Sequence, residues 1–261
     1  MNRDINWGYE EKSLSQRIDV HQKYAKYEIN DWILEILNLK LGERVLDVGC
    51  GNGKQILTYV KKVSLSLAVG TDLSTELLQE ARMKAAEEKA TISFIKHDAN
   101  LSFQFDDNSF DVISCCFTIY YFLDIQKFLM EMKRILRRGG RIFIAGPTVE
   151  NAKEMIVLHS KITGREVLQS REKRMRDEII PSVKREFSPV KIDIFNNPVT
   201  FPNSQSFIDY YASTLLFEES FRNPEERAVY LRKMKEQADK IVKKFGTFEL
   251  NKQVYGILGH K

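Results

Sequence analysis

The chain has 261 residues, 43% hydrophobic and 29% charged, enough to bury one large core with an appended cap. Its 40 basic and 36 acidic residues leave a net charge of +4, short of the strongly basic balance of a nucleic-acid binder. Three cysteines, of which Cys115 and Cys116 are adjacent, exclude a disulfide framework, and none is spaced as a zinc ligand, so no metal is expected and a reducing compartment fits.

The N-terminus, Met1-Asn2-Arg3-Asp4, carries no apolar leader core, and no apolar run approaches the roughly 18 residues of a membrane span. A cytoplasmic protein without a membrane span is the expectation. Within residues 1–40, Tyr24, Tyr27, Ile29, Trp32, Ile33, Ile36 and Leu37 fall at helical spacing, which predicts a helix packed against a sheet.

Next comes Val45-Leu46-Asp47-Val48-Gly49-Cys50-Gly51-Asn52-Gly53, a buried strand running into a glycine-rich turn. Three glycines at alternate positions leave no Cβ at the tightest points, so backbone N–H groups can approach a ligand. A dinucleotide loop would need a small residue where Lys54 stands. A P-loop would need glycine at Val48 and Ser or Thr at Gln55. A tight turn without a ligand needs one glycine rather than three. The pattern left is D-x-G-x-G-x-G.

A second apolar run, Leu65-Ser66-Leu67-Ala68-Val69-Gly70, ends in Thr71-Asp72-Leu73-Ser74. It places Asp72 about 20 positions after the glycines, where a ribose diol would lie, while Ser74 can cap the next helix. Ile92-Ser93-Phe94-Ile95-Lys96 then leads into His97-Asp98-Ala99, and Phe105-Asp106-Asp107-Asn108-Ser109-Phe110-Asp111 into a fourth strand. A helix is predicted over 125–136, with Arg137-Arg138-Gly139-Gly140 as the turn before a fifth strand at 141–145.

Together these segments resemble the class I S-adenosylmethionine-dependent methyltransferases, in the methyltransferase type 11 branch that includes the ubiquinone and menaquinone methyltransferases. The glycine loop matches that family's motif I, His97-Asp98-Ala99 its "gDA" step, Phe105 to Asp111 its "LPF-x-D-x-S-F-D" entry, and 136–140 its "L-R-P-G-G" turn with Arg138 for proline. The resemblance is strong over about 40–147. It implies S-adenosylmethionine as cofactor, its methionyl end held by Asp47 and by the loop Gly49, Cys50, Gly51, Asn52 and Gly53. Asp72, with Leu73 beside it, would take the ribose, Asp98 and Ala99 the adenine, and Cys116 would contribute through its backbone. The implied fold is α/β and Rossmann-like, a seven-stranded, mostly parallel sheet with the last strand antiparallel, plus helical cap insertions. One domain over 1–261 is expected: a helical lid at 1–40, in which Tyr9 is a candidate, a cofactor core at 41–147, substrate-side segments at 148–202 and 203–245, and a last strand at 246–261.

Between the fifth and last strands the sequence predicts a helix over 152–162 carrying His159, a break at Gly164, a charged helix and a strand at 190–194. The charge run from Arg165 to Arg185 mixes both signs, as a solvated helix with intrahelical pairs does. The stretch 203–245 is too long for a simple connection and reads as a substrate cap ending in a charged helix at 225–244.

The segment after the fourth strand, Cys115-Cys116-Phe117-Thr118-Ile119-Tyr120-Tyr121, separates acceptor classes. It lacks the Asn/Asp-Pro-Pro signature of nucleic-acid amine methyltransferases and the Pro-Cys pair of RNA cytosine enzymes. Free cysteines are among the most buried residues, so a thiolate nucleophile is not expected. Tyr121 is the residue expected to face the acceptor, with His159 and Tyr9 as further substrate candidates, although a structural imidazole is the commoner fate of a lone histidine. The reading is methyl transfer to an oxygen or nitrogen of a small metabolite, with no nucleic-acid partner and the oligomeric state left open. The alternatives are an RNA- or protein-modifying methyltransferase and a non-catalytic cofactor-binding subunit.

Overall fold

A computed structural model describes residues 7–221 and 223–261, with side chains from residue 16 onward. Seven strands, β1 (Arg44–Val48), β2 (Leu67–Asp72), β3 (Ser93–Lys96), β4 (Phe110–Cys116), β5 (Leu136–Pro147), β6 (Val190–Phe201) and β7 (Phe248–His260), form one sheet in the order β3-β2-β1-β4-β5-β7-β6. β1 runs parallel to β2 and β4, β2 to β3, and β4 to β5, whereas β7 runs antiparallel to β5. The expected Rossmann-like sheet with an antiparallel last strand is the one observed.

β1 and β4 are apolar almost throughout because they are buried on both faces. Successive side chains alternate between faces. Leu46, Val48 and Ile113 join a cluster with Phe128, Leu129 and Met132, and Val45 and Val112 join another with Ile33, Leu37, Ile56 and Phe143. The first face is closed by the helix Ile125–Ile135, which buries Ile125, Phe128, Leu129, Met132 and Ile135 and is capped by Asp124 accepting from the Lys127 N–H at 2.9 Å. From β1 the chain winds through β2 to β3 on one side, then returns to β4 on the other. The carboxyl ends of β1 and β4 therefore meet at the topological switch point, where open α/β sheets bind ligands.

The chain divides into two compact units, where the sequence reads as one domain with insertions. One comprises 29–149, 169–195 and 254–261 and contains the two clusters above. The other comprises the residues up to 28, 150–168 and 196–253, and its own cluster includes Met155, Leu158, Phe201, Phe207, Tyr211, Phe217, Phe221, Met234, Phe248 and Leu250. In this second unit Phe207 stacks on Phe248 with ring centroids 3.7 Å apart. Asn203, Thr214 and Asn223 cap the helices Ser204–Ala212, Leu215–Ser220 and Pro224–Phe245. The segment 203–245 is mostly helical, and its apolar side chains share a core with Met155, Leu158, Phe248 and Leu250.

Several expected elements change shape. The single N-terminal helix is two, Trp7–Tyr24 and Ile29–Leu37, interrupted where Ala25 bridges Val199. The turn Arg137-Arg138-Gly139-Gly140 is absorbed into β5, whose pairing with β4 shifts register between Phe110 and Val112. Gly139 takes φ 75°, and a Cβ on Gly140 would lie 2.8 Å from the Arg137 carbonyl oxygen, so this bulge requires both glycines. β6 extends to Phe201 rather than ending at 194, because its last residues alternate buried and exposed with a strand's period of two. The charged helix is Ser170–Arg174 continued by a π-helical turn Met175–Ile179 and the helix Ile180–Glu186, with Met175, Ile179 and Val183 buried.

Candidate cofactor site

Asp47 leaves β1 opposite Gly70 of β2 and Ser114 of β4, the centre of the sheet. The Ser114 hydroxyl donates to its Oδ1 at 2.5 Å. Its Oδ2 is buried with no hydrogen-bond partner among the described residues. Burial, opposed by the Ser114 bond and reinforced by the charge of Asp72, pushes the Asp47 carboxyl up to about 7. A buried orphan acceptor of this kind is costly unless a donor, best a cation, completes it.

The glycine loop differs from its sequence reading in one chemical respect. The N–H groups of Gly49, Cys50, Gly51 and Gly53 all have partners within the protein. Gly49 and Cys50 both donate to the Thr71 carbonyl at 2.7 and 2.9 Å, and Gly53 donates to the Cys50 carbonyl at 2.9 Å. Gly51 donates to Oδ2 of Asp72 at 2.8 Å. A phosphate cradle turns its donors outward. Here four donors are paired with Thr71, Asp72 and Cys50, and Asp47 and Asp72 leave carboxylate acceptors, which suits a cationic ligand.

The three glycines also divide their work. A Cβ on Gly49 (φ 69°) would stand 2.5 to 2.7 Å from three Thr118 side-chain atoms, so this glycine lets the turn after β4 close on the loop. A Cβ on Gly53 (φ 79°) would meet the Ala81 Cβ at 3.1 Å, which sets the packing of the helix Thr75–Glu87. Gly51 (φ 54°) alone of the three faces open space, with only a Leu77 methyl at 4.0 Å. Gly53 is the N-cap of the helix Lys54–Lys62 and gives it no side-chain cap, so the first-turn N–H groups stand at the end of the loop.

Asp72 accepts the Ser74 N–H on Oδ1 at 2.9 Å, and Ser74, not Asp72, caps the next helix through the Leu77 N–H at 3.1 Å. Leu73 beside it is exposed. Asp98 holds an Asx turn, its Oδ1 accepting from the Asn100 backbone and side-chain amides at 2.9 and 2.8 Å, and Ala99 packs against the first core cluster. The Asn52 side chain is buried and donates to Glu80 at 3.3 Å, a tie between loop and helix. Cys50 tucks its sulfur beneath the sheet, 2.8 Å from where a Gly70 Cβ would be. Burial pushes the thiols of Cys50, Cys115 and Cys116 up, so none is a thiolate nucleophile.

After β4, Phe117 adopts φ 60°, an uncommon conformation for a bulky residue, and its N–H is held by the Ala145 carbonyl at 2.8 Å. This kink turns the chain into the short 3-10 helix Ile119–Tyr121 beside the glycine loop. The Tyr120 and Tyr121 rings meet edge to face at 4.7 Å. Arg171 donates to the Tyr121 hydroxyl at 3.4 Å, and Arg174 to the Tyr120 carbonyl at 3.0 Å. The mixed charge run is therefore not wholly solvated.

Of the substrate candidates, Tyr121 lies at this edge. The side chain of Tyr9 lies outside the described residues. His159, the other substrate candidate, lies in the second unit. It is buried in the second unit's core, where Nδ1 meets the Tyr211 hydroxyl at 2.6 Å and Nε2 the Ser220 hydroxyl at 3.3 Å. Ser220 spends its own proton on the Leu216 carbonyl, so Nε2 is the donor, Nδ1 the acceptor and the ring neutral. Burial, helped by the charge of Arg165, lowers its pKa to about 4. His97 is likewise structural, its ring 4.1 Å from that of Phe103.

Residues 46–144 match the family described as "Methyltransferase domain". The ubiquinone/menaquinone biosynthesis C-methyltransferase of Bdellovibrio bacteriovorus is 38% identical over 105 residues, 40% of this chain and 44% of that protein. A demethylmenaquinone methyltransferase of Bacteroides fragilis is 33% identical over 125 residues, 46% of this chain and 51% of that one. The chain thus spans about half the length of these relatives. Among solved structures, the YcgJ protein of Bacillus subtilis superposes with a TM-score of 0.60 at 19% identity, covering 89% of this chain and 97% of that one. The [4+2]-cyclase SpnF superposes at 0.53 and 18% identity, covering 89% and 80%, so the shared fold does not by itself name a reaction. The matched segment contains the acceptor-lined loop, Asp72, Asp98 and the turn after β4, and over these residues the chain is similar to methyltransferase domains.

Proposed function

We propose that the chain transfers a methyl group from S-adenosylmethionine to a small-molecule acceptor at an oxygen or nitrogen atom. The observation that carries this is the unpartnered Oδ2 of Asp47 at the start of a loop in which the N–H groups of Gly49, Cys50, Gly51 and Gly53 are already paired. Such a site selects an ammonium over a phosphate. The residues fit the cofactor's other parts as well. The uncapped start of Lys54–Lys62 offers donors to a carboxylate, Asp72 retains lone pairs for a diol, and Asp98 can accept from an adenine amine. The open space at Gly51 leaves the approach clear.

When bound, S-adenosylmethionine supplies a methyl on a sulfonium, an electrophile with its own leaving group. The protein's task is then to hold the acceptor in line and keep its nucleophile desolvated, for which proximity and orientation suffice. Tyr121, on the turn that closes on Gly49, would orient the acceptor in this reading. Carbon as the attacked atom is a second reading, favoured by the names of the relatives, one of which is a C-methyltransferase.

The test combines two measurements. Calorimetry should show binding of S-adenosylmethionine and its demethylated product but not of nicotinamide dinucleotides. Purified protein should also move label from the methyl-labelled cofactor into a small-molecule extract rather than into RNA or protein fractions. Tight RNA binding that falls steeply with salt, together with label in RNA, would overturn the small-molecule assignment.

A further inference from the structure

β6 lies at the edge of the sheet, so one row of its backbone groups has no neighbouring strand within it. Which row is fixed at both ends. The Pro189 carbonyl accepts the His260 N–H of β7 at 3.2 Å and so points inward, whereas the Pro198 carbonyl accepts the Lys26 N–H at 2.9 Å and points outward. Positions 189 and 198 differ in parity, as the alternation of an unbroken strand requires. Val190, Ile192 and Ile194 therefore turn their N–H and C=O groups outward. Ala25 and Lys26 cover the strand at Pro198 and Val199, but among the described residues no other segment bonds to the outer backbone of 190–194.

An open edge is a template for another strand, and the side chains of this one say which strand fits. Val190 and Ile192 pack on the first core cluster, and Ile194, on the same face by alternation, is 46% exposed. Lys191 and Asp193 fall on the other face, and neither holds an ion pair among the described residues. Two copies of the segment, run antiparallel about Ile192, set Lys191 of each opposite Asp193 of the other, and Val190 opposite Ile194. Ile192 then meets its own copy. Since its N–H and C=O point outward, the two copies exchange a pair of hydrogen bonds there, which leaves Lys191 and Asp193 at the non-hydrogen-bonded position, where side chains lie closest. Centring the pairing on 191 or 193 instead would put like charges face to face.

We propose that 190–194 is a self-complementary edge through which two copies of this chain pair, joining their sheets antiparallel across a twofold axis at Ile192. The segment is short, so the dimer is in equilibrium with monomer. Sedimentation velocity on the full chain, from micromolar to sub-millimolar concentration, should show that equilibrium. Lys191→Asp opposes carboxylate to carboxylate and should weaken association about tenfold or more, with the melting temperature of the monomer unchanged. The exchange of both charges, Lys191→Asp with Asp193→Lys, restores opposite signs and should restore association. Ile192→Cys should crosslink to its own copy on mild oxidation while Ile194→Cys should not, because only a residue at the axis brings its two Cα atoms within disulfide reach. The three native cysteines are buried and stay out of this reaction. A monomer at every concentration would overturn the proposal and leave the edge to a strand of another kind. So would a dimer of equal strength in Lys191→Asp, or one that crosslinks through Ile194→Cys and not through Ile192→Cys.

Discussion

Asp47 shows how one side chain can carry both a cost and a function. Its carboxyl, held at about 7 by burial, is partly protonated at neutral pH. A bound ammonium would favour the ionised form, so cofactor binding should release a proton, in larger fraction at pH 6 than at pH 8. Calorimetry in buffers of different ionisation enthalpy measures that release, and Asp47→Asn should abolish it while weakening binding by about 1–3 kcal/mol. No buffer dependence in the unmodified protein would rule the linkage out. The glycines make a second, independent contrast. Asparagine tolerates the left-handed region, so Gly51→Asn should fold normally yet lose cofactor, because its side chain enters the open approach. Gly49→Asn meets Thr118 instead and should lower the melting temperature. If both variants lost stability alike, the division of labour among the glycines would be wrong.

At the scale of elements, the parts legible in the sequence were those in which a single physical cause acts. β1 and β4 are buried on both faces and so read as apolar runs, and the glycine loop declared itself because ordinary residues cannot occupy it. Asp124 was not singled out, though its bond to the Lys127 N–H starts the helix Ile125–Ile135. Asp124→Ala should cost about 1 kcal/mol in urea unfolding, and a neutral result would show the helix to be held by its buried face alone. Illegible were features in which distant residues decide. Nothing local in the charge run says that Arg171 meets Tyr121, 50 positions away, or that His159 finds Tyr211 and Ser220 inside an aromatic core. The N-terminal helix breaks for the same reason. Ala25 pairs with Val199 and Asn197 accepts the Tyr27 N–H at 3.0 Å, two contacts that the helical spacing of 24–37 could not announce. Glycine spacing shows that a backbone can approach a ligand, not which of its groups will face it.

For the whole molecule, two buried titratable groups, Asp47 and His159, pull stability in opposite directions with pH. Asp47, raised from 3.8 to about 7, binds more protons folded than unfolded between those values, so its contribution falls as pH rises through that window. His159, lowered from 6.5 to about 4, binds fewer protons folded than unfolded, so its contribution is full above 6.5 and is lost as pH falls toward 4. Each slope approaches about 1.4 kcal/mol per pH unit inside its window, and the windows overlap from 4 to 6.5. Asp47 belongs to the unit containing the sheet's central strands and His159 to the other, each with its own apolar cluster. If the chain unfolds in one step, the two slopes cancel across the overlap, and the unmodified protein should gain or lose little stability there on their account. Asp47→Asn should then make stability fall steadily as pH drops from 6.5 to 4, and His159→Gln should make it rise over the same range. If the units unfold separately, the same two slopes should appear on two different transitions, and each substitution should flatten only one of them. Urea midpoints taken every half unit from pH 4 to 7.5 distinguish the cases, and a change of the same sign in both variants would mean that burial does not set the charge of these two groups.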